Sequence, residues 1–505
     1  MRGATRPAPL SVGALSDKTD SGVDPVRIRL DASPGERETE VMTTYSAVRT
    51  TGIYCRPGCG AKPLAENVQT FELAGAAEAA GYRACLRCRP YRVAGPVGDD
   101  APELVCRAVQ LIIAGVLDEA NETTLGARVG VSARHLRRMF NDHLGMTPDQ
   151  FARSRRAHFA RRLLDDSDLS ITEVAFASGF GSLRQFNRAM REVFRLAPRE
   201  LRARRRHDDR LAADGGLVLR VPFTAPYDWD ATIDFLAERA IPGVESVEAG
   251  VYRRTIALDG APGMLEIGPG GSDHLRLRAH LPYWEGVIHV VERAARLVGI
   301  DSEPTLASEQ LAADATLGRL VGSRLGVRVP GAWGPFEVAV HAVVSQELCD
   351  PDVRSGLGRL ARSYGTPVAG LEHGLTHAFP SAEALANVRA NGYGLPGRLG
   401  EAVSALARAV ASGAVTLDGS ESLNDLVGSL VAVPGIGIAA AHHVALRLGA
   451  RDAFPLMDAK VQRELRRLGI SLDDLDAAAA SWRPWRALAT VRLLLEGRRR
   501  AAPSR

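Results

Sequence analysis

The chain has 505 residues, 46% of them apolar and 24% charged, with a formal net charge of +4. That length fits about three or four domains of roughly 150 residues each, and the balance is that of a globular protein rather than a fibrous or disordered one. No stretch supplies about 18 uninterrupted apolar residues and no basic start leads into an apolar run, so neither a membrane span nor a signal peptide is expected, and the expected location is the cytoplasm, at the nucleoid.

Residues 1–40 are rich in Pro, Gly, Ser and charge without a sustained period, and are expected to form a disordered tail. Residues 41–92 hold four of the six cysteines, Cys55, Cys59, Cys85 and Cys88. In a reducing compartment clustered cysteines favour metal over disulfide. The spacing C-x3-C-x25-C-x2-C supplies four soft ligands for one tetrahedral Zn2+. Taken alone, such a cluster points first to a zinc that only holds a small fold together. Its flanking sequence, "YSAVRTTGIYCRPGC", "ENV" and "AAGYRACLRC", resembles the N-terminal domain of Ada-type DNA repair proteins. The resemblance implies that Cys55 accepts a methyl group from a DNA methylphosphotriester while Cys59, Cys85 and Cys88 complete the zinc site. Gly58 and Gly60 depart from the family pattern and loosen the loop around the first ligand pair. Cys106 and Cys349 lack the setting of a second methyltransferase domain and are expected to be packed thiols.

After a linker at 92–102, residues 103–206 are helical in pattern. Between Val131 and Arg206 there are 17 Arg against 8 Asp and Glu, a local charge of +9 that leaves about −5 for the remainder. Such concentration predicts an anionic partner. An internal offset of 50 residues pairs Ser132 with Ser182, Phe140 with Met190 and Pro148 with Pro198. Each copy reads as a small-residue helix, a tight turn, a Ser N-cap and a second amphipathic helix, the layout in which the second helix enters the major groove of double-stranded DNA. On those second helices Arg134, Arg137, Arg138, Arg184, Gln185, Asn187 and Arg188 are the candidate DNA contacts. "SITEVAFASGFGSLRQFNRAMREVFRLAPRELR" resembles the tandem helix-turn-helix domain of AraC-type regulators. That resemblance implies a promoter operator and RNA polymerase as partners.

A second linker (207–216) precedes strands at "LVLRVPF", "VYRRTIAL", "MLEI" and "HLRLRAHL", with a helix at "DWDATIDFLAERA". From about Val287 the pattern is helical. "LVGSLVAVPGIGIAAAHHVALRLG" reads as helix, hairpin, helix, with Gly435 and Gly437 turning the chain and offering backbone N–H groups to a phosphate. Asp458 follows 21 residues after Gly437. By position alone Asp458 reads as a helix N-cap. Together with "PYDWDATIDFLAERAIPGVESV", "FEVAVHAVVSQ" and "WRPWRALA", the hairpin and aspartate resemble the AlkA-type 3-methyladenine DNA glycosylases of the helix-hairpin-helix superfamily. The resemblance implies that Asp458 is the catalytic carboxylate. It places Phe235, His443 and Leu494, with Ala439 and Ala459, around the base, and Glu347 and Leu348 at the wedge. Strand-cleaving relatives carry a lysine where this chain has Ala439, which implies a monofunctional hydrolase. Trp482 and Trp485 are expected in the core.

The expected fold class is multidomain α+β: a small four-cysteine zinc domain (41–92), an all-α tandem helix-turn-helix domain (103–206), a strand-rich α+β subdomain (217–318) and an all-α helix-hairpin-helix glycosylase domain (319–500). The expected function is an alkylation-damage response: excision of alkylated bases, suicidal methyl transfer to Cys55, and transcriptional regulation. The alternative is a DNA-binding regulator whose glycosylase half is catalytically silent.

Overall fold

The computed structural model describes residues 45–56, 59, 63–86, 88, 90, 102–206, 209–211, 216–300, 305–470 and 479–501. The tail at 1–40, Gly58, Gly60 and most of both expected linkers lie outside the described residues.

Four short strands, β1 (Tyr45–Val48), β2 (Ile53–Cys55), β3 (Val68–Phe71) and β4 (Arg83–Ala84), form one sheet in the order β3-β1-β2-β4. β1 returns on β2 through a tight turn in which Gly52 takes φ +64, a region open to glycine at little cost. β4 runs parallel to β2 with Tyr54 opposite Ala84. The next residue on each strand is therefore a cysteine, Cys55 and Cys85. α1 (Ala74–Ala79) covers this sheet and buries Ala77 against it.

The helix-turn-helix region comprises α2 (Glu103–Ile113), α3 (Val116–Glu119), α4 (Glu122–Arg128), α5 (Ala133–Leu144), α6 (Pro148–Asp166), α7 (Ile171–Ala177), α8 (Leu183–Phe194) and α9 (Pro198–Ala203). The sequence repeat is realised in space. α5 and α8 are both 12 residues long. Ser132 Oγ accepts from His135 N at 3.3 Å and Ser182 Oγ from Gln185 N at 3.2 Å, satisfying helix-start donors that lack an intrahelical partner. Leu136 and Phe140 in one copy, and Phe186 and Met190 in the other, are fully buried and leave the arginines outward.

Beyond Gly216, β5 (Leu217–Pro222), α10 (Trp229–Arg239), β6 (Glu245–Glu248), β7 (Val251–Leu258), β8 (Ala261–Pro269) and β9 (His274–His280) give an antiparallel sheet of order β5-β9-β8-β7-β6. The edge strand β6, "ESVE", has no buried residue and hence no apolar alternation to announce it. Helices follow: α11 (Val287–Leu297), α12 (Thr305–Ala313), α13 (Gly318–Ser323), α14 (Pro335–Val344) and α15 (Asp350–Tyr364). After a two-stranded ribbon, β10 (Thr366–Pro367) with β11 (His377–Ala378), come α16 (Ala382–Ala386), α17 (Gly397–Ala411), α18 (Leu423–Val431), α19 (Ile438–Arg447), α20 (Ala459–Arg467) and α21 (Arg486–Ala501). Trp482 is fully buried and Trp485 nearly so, as expected of core residues.

A buried charge network ties the sheet to the helical layer. Arg254 on β7, 2% exposed, donates to Glu337 Oε2 on α14 at 2.8 Å and to Glu245 Oε1 at 3.4 Å. Removing one member of a buried pair strands its partner's charge. Arg254→Ala is therefore expected to lower unfolding free energy by about 3–5 kcal/mol, read as a fall in denaturant midpoint.

The helix-turn-helix region and the C-terminal half touch through polar side chains. His289 on α11 sits 2.6 Å from Asp118 Oδ2 through Nε2 and 3.1 Å from Ile113 O through Nδ1. Arg155 pairs with Glu292 at 2.8 Å, and Arg107 donates to Ser420 O at 2.7 Å. The four-cysteine module rests on the same region: Tyr54 Oη donates to Glu78 Oε1 at 2.6 Å, and His158 of α6 bonds that same oxygen.

Candidate metal centre, DNA-binding helices and base-excision site

The β2–β4 register gathers Cys55, Cys59, Cys85 and Cys88 so that their four Sγ atoms all lie within 4.8 Å of one another. A tetrahedral Zn2+ with bonds of about 2.3 Å needs sulfurs in this range, and the donor set is the soft one zinc takes. The residues present therefore fit a zinc. Without a metal the Cys88 thiol has its pKa lowered to about 5, first through the hydrogen bond from Cys55. The same bond pushes Cys55 up. A divalent cation removes this competition for protons by favouring every thiolate at once. Cys55 is 6% exposed, the other three half-buried. Of the remaining thiols, Cys106 is half-buried, but Cys349 is exposed and donates to Asp352 Oδ2 at 2.9 Å. The expectation of a packed Cys349 is thus corrected: it precedes α15 in a surface turn rather than lying on an apolar helix face.

On α5, Arg134, Arg137 and Arg138 are exposed; on α8, Arg184, Gln185 and Arg188 are exposed and Asn187 is half-buried. Not all are idle. Arg137 pairs with Glu122, Arg138 lies 3.0 Å from His135 Nδ1, and Asn187 Nδ2 donates to Leu183 O at 2.8 Å. Sequence reasoning missed Arg191 and Arg195, which line the same hollow as Arg184, Asn187 and Arg188. Arg195 also donates to Gly81 O at 3.3 Å and so links α8 to the zinc module. It occupies the left-handed C-cap position, φ 58, where the first copy has Gly145, so a glycine-based search for helix ends passes over it.

In the hairpin between α18 and α19, Gly435 takes φ +86 and Gly437 caps α19. A Cβ at Gly435 would meet Ala402 Cβ at 2.7 Å, so the turn needs glycine on both counts. Gly437 N donates to Gln346 Oε1 at 2.7 Å, and Gln346 Nε2 donates to Gly435 O at 3.1 Å. Gln346 thus braces the hairpin. The N–H of Gly437 is thereby engaged within the protein.

Asp458 is the N-cap of α20 and also meets α19. Its Oδ1 accepts from Lys460 N at 2.8 Å and Val461 N at 2.9 Å, while Oδ2 lies 3.0 Å from His443 Nε2. Burial alone would raise its pKa. The His443 contact and the two amides outweigh burial and hold it at about 2. Lys460 is turned away: its Nζ donates to Asp350 at 2.7 and 2.8 Å and to Glu238 at 3.2 Å. Of the base-pocket candidates, His443 meets Asp458. Phe235 is 3% exposed, with the Arg239 guanidinium 3.8 Å from its ring centroid and that of Arg447 at 5.3 Å. Leu494 is 9% exposed. Ala439 is half-buried and Ala459 exposed. At the wedge Glu347 is exposed and Leu348 half-buried; Met457, which no motif announced, is 62% exposed beside Asp458.

A four-thiol cage, a tandem helix-turn-helix and a helix-hairpin-helix followed by a helix-capping aspartate define a DNA-repair glycosylase joined to a transcriptional regulator. Sequence models of three families match in that order: the metal binding domain of Ada over residues 37–91, a helix-turn-helix domain over 125–204, and the AlkA N-terminal domain over 218–334. The chain is 36% identical over 454 residues to the "Probable bifunctional transcriptional activator/DNA repair enzyme AlkA" of Mycobacterium tuberculosis (strain CDC 1551 / Oshkosh), covering 88% of this chain and 91% of that protein. It is 28% identical to DNA-3-methyladenine glycosylase 2 of Escherichia coli (strain K12), over 53% of this chain and 93% of the relative. It is 34% identical to the bifunctional transcriptional activator/DNA repair enzyme Ada of the same strain, over 31% of this chain and 43% of the relative. The chain belongs to the family of AlkA-type bifunctional transcriptional activators and DNA repair enzymes.

Proposed function

We propose that the protein excises alkylated bases such as 3-methyladenine by monofunctional N-glycosidic hydrolysis at Asp458, and takes one methyl group from a DNA methylphosphotriester at Cys55. Through α5 and α8 it binds an operator and activates transcription with RNA polymerase, in the cytoplasm at the nucleoid. The observation that carries the enzymatic reading is the ionised Asp458 carboxylate against His443 of α19, the helix that follows the glycine hairpin, with the nearest lysine held by two other carboxylates.

The flipped nucleotide presents C1′ to this carboxylate. As the C1′–N bond breaks, the base leaves with the bonding electrons and positive charge grows on the sugar. Asp458 stabilises that charge, and water then adds to C1′ and gives up a proton. In the methyl transfer, the Cys55 S–CH3 bond forms as the CH3–O bond of the triester breaks and the phosphodiester oxygen keeps the electron pair. A zinc bound by the four cysteines would hold them as thiolates, the nucleophilic form at neutral pH. A thioether does not revert under these conditions, so each chain reacts once. Loss of one negative charge at the site favours the DNA-bound state.

Hydrolysis alone leaves the sugar-phosphate strand intact. Gel analysis of a lesion-bearing duplex should show an abasic strand that breaks only on later alkali treatment, and Lys460→Ala should still excise. Strand cleavage by the parent protein that is lost in Lys460→Ala would overturn the monofunctional reading. A parent that releases no base from alkylated DNA would leave the regulator with a silent glycosylase half.

A further inference from the structure

We infer that the outer end of α8 carries a sequence-independent phosphate site, in which Arg191 and Arg195 hold the backbone of any DNA duplex beside the four-cysteine module. This rests on the reading of α8 as a DNA-binding helix.

The buried side chains of α8, among them Phe186, Met190, Val193 and Phe194, fix which face is left for a partner. Arg184, Arg188, Arg191 and Arg195 recur at i, i+4, i+7 and i+11, a stripe on the opposite face, and all four are exposed. With Asn187 and Glu192 they line a hollow of about 470 Å3. Four guanidinium groups against one carboxylate leave that hollow at +3. Glu192 is shared between Arg153 of α6 at 3.5 Å and Arg188 at 3.7 Å, so it does not neutralise the rest of the stripe. Among the described residues, Arg184 and Arg191 meet no acceptor. Arg195 is held by the neutral carbonyl of Gly81, which leaves its charge unmatched. Successive members of the stripe are like-charged neighbours at i+3 or i+4, an arrangement that costs a bare helix stability. A bound anion removes that cost.

The position of the outer pair along α8 selects phosphate over base. In a helix-turn-helix the N-terminal residues of the second helix reach the base edges. At about 1.5 Å per residue, Arg191 and Arg195 lie about 10 and 16 Å beyond Arg184 along the axis. The major groove is about 12 Å wide, so with Arg184 over the bases these two come to the strand that borders it. Guanidinium groups there pair with phosphate oxygens, a contact that carries no sequence information. Helix α5 has no counterpart. At the 50-residue offset Asn141 stands for Arg191 and Gly145 for Arg195, and Arg137 is paired with Glu122. The site therefore belongs to the second copy alone. A phosphodiester bound there holds a strand next to Gly81 of the module whatever its sequence, as the capture of lesions at arbitrary positions demands.

The test is duplex binding by the full chain, followed by fluorescence anisotropy over a salt series, on two duplexes of equal length and unrelated sequence, one A·T-rich and one G·C-rich. Arg191→Gln should weaken binding to both by the same factor, about tenfold in low salt, and should lower the slope of log K against log salt by about 0.9. Adding Arg195→Gln should double that loss of slope. Arg191→Lys keeps the charge and should keep the slope. Both arginines are exposed, so the variants should melt at or above the parent's midpoint. A double variant with the parent's slope overturns the proposal. So does a loss confined to one duplex, which would make these residues base readers. Unchanged duplex binding with loss of promoter activation would give the hollow to RNA polymerase and overturn it as well. Arg184→Gln/Arg188→Gln separates this site from the reading it rests on. If neither pair moves the slope, α8 is not the DNA-binding helix; if only the outer pair fails to, that reading stands and the phosphate site falls.

Discussion

Asp458→Asn is expected to lower the excision rate on the order of 100-fold or more while duplex binding changes little. The amide keeps the size of the side chain, and its carbonyl oxygen can still cap α20 as Asp458 Oδ1 does. What it loses is the negative charge, and that charge matters most in the transition state, where the sugar becomes positive. The loss should therefore fall on the limiting rate and not on the half-saturating DNA concentration. The parent's pH profile makes a linked prediction. With its pKa held at about 2 against an ordinary 3.8, the carboxylate stays ionised through the range in which duplex DNA is handled. No acid limb from Asp458 is expected above about pH 3. The sign for folding is the same: the depressed pKa stabilises the native state above pH 3.8, and that contribution is lost as pH falls through about 2. An Asn variant as fast as the parent would move catalysis to another group.

Cys85→Ser is expected to empty the metal site and loosen residues 45–90. Structural zinc contributes about 10–16 kcal/mol of binding free energy, which in so small a module is folding free energy. The sheet there has strands of only two to four residues, too short to hold together on apolar burial alone. Metal analysis should fall from one zinc per chain to none, and protease cutting should appear within this segment. Excision should persist, because Asp458 and its partners lie on α19 and α20, outside the module. A variant that keeps its zinc would show that the four thiols do not act as one site.

Much of this arrangement is legible in the chain because it is local. Ser132 and Ser182 announce their helices by a cap three residues before a bonded amide, and the 50-residue offset survives in space. Asp458 reads as an N-cap and is one. The four-cysteine cluster follows from spacing, although only the parallel pairing of β2 with β4 explains how Cys55 meets Cys85. What stays hidden is pairing between distant segments. The contact of His443 with Asp458, the brace from Gln346 to the hairpin, and the approach of Arg447 to Phe235 depend on which helix faces which, and no periodicity encodes that. The docking of α11 on the regulatory half through His289 and Asp118 is invisible for the same reason. β6 escaped because an exposed edge strand needs no apolar face.

The most direct measurement is to incubate the purified full chain with a duplex carrying both an alkylated base and a methylphosphotriester, and to follow protein and DNA together. Peptide mass spectrometry should find a single methyl group on Cys55, while the DNA shows free alkylated base and an uncut abasic strand. Methyl on another cysteine, or DNA that retains its alkylated base, would contradict the assignment of these two chemistries to Cys55 and Asp458.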